Sequence, residues 1–147
     1  MIVIDSSVFV KLMVAEDDSA AARAFMVACL QQEIDFGAPD LFRLEVLGFA
    51  LHHGIPFVHV RELIEIQEAA GFQIRPLSSD VIDHAETIAR NGNKKSGYPS
   101  LQDSLYHALA IATDGIFVTA DRKHLEKTKK FKHAISLQQW SLLPVFR

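Results

Sequence analysis

Apolar positions along the chain alternate between short branched runs and longer stretches with helical spacing. Residues 1–4 form a compact apolar run that ends at Asp5-Ser6-Ser7, which reads as a strand passing into a turn or helix start. Residues 17–34 are alanine-rich and open with acids, as a helix N-terminus prefers. A break is expected at FGAP, where Gly37 and Pro39 interrupt the pattern. Helical spacing resumes over residues 40–53, stops at Gly54 and Pro56, and returns over 58–70 until Gly71. Phe72–Arg75 reads as a short strand, and residues 78–90 as a helix with apolar positions at Val81, Ile82, Ala85, Ile88 and Ala89. Residues 91–99 (NGNKKSGYP) are the clearest loop. A helix over 100–113 follows, then a strand at Ile116–Thr119, a helix over 121–130 and a last strand at Ala134–Ser136. Short apolar strands alternating with helices predict an α/β layer fold with a mostly parallel sheet and high helix content.

Composition narrows the class. A chain of 147 residues, 49% hydrophobic and 22% charged, fits one domain spanning 1–147. It is long enough to bury about two-thirds of its unfolded surface without a staple. A single cysteine, Cys29, excludes an internal disulfide framework and a multi-cysteine zinc site, and is expected to pack as a small apolar residue. No apolar run approaches the ~20 residues of a membrane span. The opening has Asp5 within its apolar run and no basic residue before it, unlike a secretory signal, so a cytoplasmic protein with no membrane partner is expected.

The net charge of −3 is unevenly placed: residues 1–89 carry 14 acidic and 5 basic side chains, residues 90–133 carry 4 acidic and 9 basic. The basic segment reads either as a solvated face or as an anion-binding surface. Net acidity argues against broad duplex binding through many phosphates, though not against a short RNA segment held locally.

Four acids stand out by position. Asp5 and Asp121 each follow a predicted strand, and in open parallel sheets ligands collect beyond the carboxyl ends of strands. Both positions also suit N-caps. Glu45 lies in LFRLEVLGFALH and shares a helix face with Leu41, Phe42 and Phe49, where a carboxylate is costly unless paired or bound to a cation. Asp103 sits in the first turn of its helix, where it fits a capping box with Ser100, beside an expected buried stripe of Leu101, Leu105, Ala108, Leu109 and Ala112. Converging, the four would repel one another unless a cation intervened. Carboxylate-only ligation suits Mg²⁺ or Mn²⁺, which activate water and clamp a phosphodiester.

In four blocks the chain resembles the PIN-domain family, and within it the VapC-type toxins of bacterial toxin–antitoxin systems. IVIDSSVFVKL matches the opening strand with its aspartate and hydroxyl residues, and PDLFRLEVLGFAL the helix bearing the glutamate. LQDSLYHALAIA matches the helix that starts with the third acid, and FVTADRKH the strand ending in Thr-x-Asp. The resemblance implies a three-layer α/β/α fold and a metal-dependent endoribonuclease whose products carry 5′-phosphate and 3′-hydroxyl ends. It implies Asp5 and Asp103 as main Mg²⁺ ligands, Glu45 and Asp121 completing the acidic pocket, and Ser7 and Thr119 orienting the carboxylates. It further implies a homodimer and a small antitoxin packed on the early helices. Lys94, Lys95, Arg122 and Lys123 are candidate RNA phosphate contacts, and loop 91–99 is placed to fold over substrate.

Rival readings are weaker. A dehalogenase-type phosphatase needs an acid at Ser7, a receiver domain lacks its phosphorylatable aspartate, and the seven histidines show no zinc spacing. His107, one turn beyond Asp103, reads as a satisfied, partly buried histidine, while Tyr106 and Phe9 read as core. A PIN-fold module that binds RNA or protein without cutting is the remaining alternative.

Overall fold

A computed structural model describes residues 1–147. Strand β1 (Ile2–Ile4) leads through a short helical turn, α1 (Ser6–Phe9), and a 3₁₀ turn at Val10–Leu12 to helix α2 (Ser19–Gln31). Then come β2 (Phe36–Pro39), α3 (Leu41–His52), α4 (Phe57–Ala69), β3 (Phe72–Arg75) and α5 (Ser79–Ala89). The chain finishes with α6 (Leu101–Ala112), β4 (Ile116–Thr119), α7 (Arg122–Lys127), β5 (Ala134–Ser136) and three 3₁₀ turns. The five strands form one parallel sheet in the order β3-β2-β1-β4-β5.

That order carries the architecture. From β1 the chain steps outward to β2 and β3, then crosses back to β4 and β5 on the other side of β1. Because crossovers between parallel strands are right-handed, the two directions of travel put their helices on opposite faces. The result is the expected α/β/α layering. The direction reverses between β1 and β4, and the crevice beyond their carboxyl ends is where such a sheet offers a site.

FGAP, expected as a break, is the strand β2, hydrogen-bonded between β1 and β3. Gly37 is required there: a Cβ at this position would lie 1.9 Å from the Gln73 carbonyl oxygen. Pro39 pairs with Arg75 but lies past the last pair with β1, Val3↔Gly37, so its missing N–H costs no bond there. All four residues of β2 are buried, so the strand carries no alternation to betray it.

Three further expectations are revised. The helix placed over 121–130 ends at Lys127, because the Thr128 hydroxyl donates to the His124 carbonyl (2.7 Å) and the chain tightens into a 3₁₀ turn. Leu101 and Ala112, expected in the buried stripe of α6, are exposed. The buried part of α6 is instead a continuous run, residues 104–110, because this helix lies on β1, β2 and β4 and is covered by α5.

Aromatic packing joins the layers. Phe9 meets Phe42 edge-on at 4.9 Å, and Phe42 and Phe36 both pack on Phe72 (5.2 and 5.5 Å). Tyr106 stacks on Phe117 at 5.7 Å. The carboxyl-terminal turns close over α2 through Trp140 and Phe146, both against Phe25. Cys29 is buried, and burial raises its thiol to about 12, so it is chemically quiet. No helix is long and apolar enough to cross a membrane.

Candidate active site

Asp5 leaves the end of β1 with extended backbone and caps α1, accepting from the Ser7 amide (3.3 Å). Its Oδ2 also accepts from the Ser7 hydroxyl (2.8 Å) and from the Thr119 hydroxyl at the end of β4. Capping and chemistry are therefore not alternatives: one oxygen serves the helix, and the other is fixed by hydroxyls from α1 and from the end of β4. Thr119 Oγ1 in turn accepts from the Asp121 amide (3.0 Å), and Ser7 Oγ from the Ala120 amide (3.3 Å). Asp121 caps α7 through Oδ1, which accepts from the Lys123 and His124 amides (2.9 and 3.2 Å).

Asp103 enters from α6, whose first turn is fixed by Ser100 accepting from the Asp103 amide (3.1 Å). Glu45 enters from α3 on the opposite face. Its Oε1 accepts a 2.5 Å hydrogen bond from the Tyr106 hydroxyl. Asp5, Glu45, Asp103 and Asp121 line one cavity of about 500 Å³, together with Ser6, Ser7 and Lys11. Every acid singled out in the sequence is thus brought to the switch point.

The cavity is electrostatically demanding. Burial pushes the Asp5 carboxyl above the usual carboxylate range, the Thr119 and Ser7 hydrogen bonds pull it back, and the Asp103 charge pushes it up again. Burial raises Glu45 as well, opposed by Tyr106 and reinforced by the charges of Asp5 and Asp103. Asp103 is raised by burial and by Asp121, and relieved by Ser100 and by the Lys127 charge.

No three His, Cys, Asp or Glu side chains are close enough to form a finished metal cage. The donor set nevertheless fits a hard divalent cation: five carboxylates line the cavity, Glu16 among them is already paired with Lys11, and the repulsion among Asp5, Glu45 and Asp103 favours a positive charge. Mg²⁺ in particular keeps most of its water and needs only one or two carboxylates from protein.

Two further residues bear on the site: Lys11 lines the cavity, and Tyr106 lies outside its lining. Tyr106, read as core, is fully buried but spends its hydroxyl on Glu45. Lys11 interrupts the apolar run VFVKLMV, and its ammonium is held 2.7 Å from Glu16 and 2.8 Å from Asp18. That lone cation in an apolar run was the available signal for Lys11.

His107 does not line the cavity. It is buried against His124, and its Nε2 lies 2.5 Å from the Lys132 carbonyl. A carbonyl only accepts, so Nε2 carries the proton and Nδ1 accepts from His124 Nε2 at 3.1 Å. His124 Nδ1 is left bare, buried and without a partner. Burial drives both imidazoles down to about 4.

The predicted RNA contacts divide. Arg122, Lys123 and Lys127 surround a depression of about 440 Å³ with Ser96, and none of the three is in an ion pair. Its only acid, Glu126, is paired with Lys129 at 2.9 Å. Lys94 and Lys95 lie in loop 91–99, outside that depression; the loop is tied to α7 by Asn93 Nδ2 donating to the Glu126 carbonyl (3.0 Å).

A family profile described as PIN domain matches residues 2–130. No curated protein matches the sequence. Among solved structures, a toxin–antitoxin complex from Klebsiella pneumoniae is similar with a TM-score of 0.67 at 12% identity, over 93% of this chain and 98% of that one. FitAcB from Neisseria gonorrhoeae is similar with a TM-score of 0.68 at 14% identity, over 94% and 99%. FitAB bound to an IR36 DNA fragment gives 0.70 at 16% identity, over 95% and 96%.

Proposed function

Given that the chain belongs to the PIN-domain family, we propose that it is an endoribonuclease dependent on Mg²⁺ or Mn²⁺, the toxin of a toxin–antitoxin pair. The observation that carries this reading is the single cavity at the switch point lined by Asp5, Glu45, Asp103 and Asp121. Asp5 and Asp103 are the main ligands, and Glu45 and Asp121 complete the pocket. A divalent cation bound there supplies water activation and neutralises charge on the phosphodiester.

The chain's own residues do the rest. Ser7 and Thr119 hold Asp5 Oδ2 in one orientation, so the carboxylate does not reorganise during reaction. Asp121 keeps Oδ2 available because both amides of its cap go to Oδ1. Water attacks phosphorus in line; the P–O3′ bond breaks, the 3′-oxygen of the upstream fragment takes a proton, and the phosphate stays on the 5′-oxygen of the downstream fragment. Arg122 and Lys123 receive a neighbouring phosphate in the depression beside Asp121.

The same reading carries one domain over 1–147, a cytoplasmic location, a homodimer and a small antitoxin. The likeness to the Klebsiella toxin–antitoxin complex supports the antitoxin. Leu44 and Leu51 on α3, 75% and 72% exposed, offer an apolar face to a protein partner.

The test is cleavage of total cellular RNA by purified, antitoxin-free protein. Mg²⁺ or Mn²⁺ should give discrete cutting and EDTA should stop it. A folded protein that cuts no RNA under any metal condition would favour the non-cutting binding module instead.

RNA binding under EDTA examines the basic depression separately. Replacing Arg122 and Lys123 by alanine should weaken binding of a single-stranded oligonucleotide and flatten its salt dependence, by about 0.7 in the log–log slope for each phosphate no longer neutralised. The Lys94→Ala, Lys95→Ala variant probes the loop in the same assay. An unchanged slope in both variants would place the RNA path elsewhere.

A further inference from the structure

We infer that Tyr106 is a positioning residue for the acidic site: its hydroxyl fixes Glu45 in place relative to Asp103. This inference rests on the metal-dependent reading above. The hydrogen bond joins elements distant in the chain, since Glu45 belongs to α3 and Tyr106 to α6, 61 residues apart in sequence. Asp103 and Tyr106 stand three residues apart on α6, which puts them on neighbouring positions of one helix face. A single 2.5 Å bond therefore ties the carboxylate of one layer to the helix that carries the carboxylate of the other.

The tyrosine is suited to the task. It is fully buried, its ring is stacked on Phe117 of β4, and its hydroxyl donates to Glu45. A carboxylate has two oxygens, and committing Oε1 to Tyr106 leaves the other for the cavity that Glu45 lines. Held in this way, Glu45 cannot relax away from Asp5 and Asp103, although their charges oppose it. A phenylalanine would fill the same space and stack equally well. The hydroxyl serves the acid, not the core.

Mn²⁺ binding followed by electron paramagnetic resonance tests this without any need for turnover. Tyr106→Phe should keep its near-ultraviolet circular dichroism and weaken Mn²⁺ binding by about 10–100-fold, the usual effect of losing a group that orients a metal ligand. In cleavage assays it should lower kcat at fixed Mn²⁺ and leave the KM for RNA unchanged. Glu45→Gln, which keeps an acceptor for the phenol, should weaken Mn²⁺ binding as well. Adding Tyr106→Phe to Glu45→Gln should then cost nothing more, because the two act through one carboxylate. A folded Tyr106→Phe whose Mn²⁺ affinity equals that of wild type would overturn the inference, as would additive losses in the double variant. If wild type itself binds no Mn²⁺, the metal-dependent reading fails, and the positioning role fails with it.

Discussion

Replacing Asp5 and Asp103 by asparagine should abolish metal-dependent RNA cleavage and, in the same protein, raise the unfolding temperature measured without metal. The first effect follows from losing both principal ligands, and should far exceed the about 100-fold cost of losing a supporting partner. The second follows from the cavity's electrostatics. Burial holds both carboxyls above their ordinary values, so their folded pKa values exceed their unfolded ones. Groups shifted that way support the fold below the unfolded pKa and lose that contribution as pH rises through the folded value. At neutral pH the ionised acids therefore work against the metal-free protein, and asparagine removes the conflict while keeping an acceptor for Ser7 and Thr119. Each kcal/mol relieved is worth about 3–5 °C in a domain of this size. Mn²⁺ should stabilise the wild type by binding the folded form alone, and leave the variant unmoved. Thermal scans with Mn²⁺ and with EDTA check both statements. An equal Mn²⁺ shift in the two proteins would remove Asp5 and Asp103 as ligands.

Acid should unfold the protein from a second place, the His107–His124 pair. Both rings are buried and neutral, with pKa values pushed down to about 4 from 6.5. Their folded pKa values lie below the unfolded ones, so between pH 6.5 and 4 the unfolded chain binds more protons and stability falls with pH. At about 1.4 kcal/mol per unit, the two shifts amount to several kcal/mol, a large share of a typical domain's 5–15 kcal/mol. The carboxyls in the cavity slope the other way over an overlapping range. The clean experiment is urea unfolding from pH 7 to 4.5 in the Asp5→Asn, Asp103→Asn background. There the unfolding free energy should drop steeply below pH 6.5, and His124→Leu, which removes one titrating ring, should flatten the drop. A level profile in that background would show that the pair takes up protons without opening the core.

Helices were legible where recognisable stops bound them, such as Gly54 with Pro56 and Gly71. Strand β2 was not, because Gly37 and Pro39 are ordinarily residues that end strands. Only the Gln73 carbonyl, brought alongside by folding, explains why a glycine must be there. The acids were legible by a different route: Asp5 and Asp121 by following apolar strands, and Glu45 by sitting where a charge is costly. What holds them was less so. The Thr119 bond to Asp5 was implied by the family pattern and has a partner 114 residues away. The Tyr106 bond to Glu45 left no mark in sequence, since a tyrosine on an apolar helix looks like any core aromatic. The bare Nδ1 of His124 follows only from the direction of the hydrogen bond at Lys132, which no spacing encodes.

The middle place of β1 in the sheet also sets when the site can exist during synthesis. The first strand made is flanked on one side by β2 and on the other by β4, and the hydroxyl that secures Asp5 belongs to the end of β4. At about 5–20 residues per second, roughly 6–23 s separate the making of Asp5 from that of Thr119. Until β4 is made the nascent chain has at most three of the five strands and lacks the hydroxyl that holds Asp5. Under the proposed function, the site stays incomplete until β4 has been made. Chains that stop short of Ile116 should be harmless to cells for the same reason.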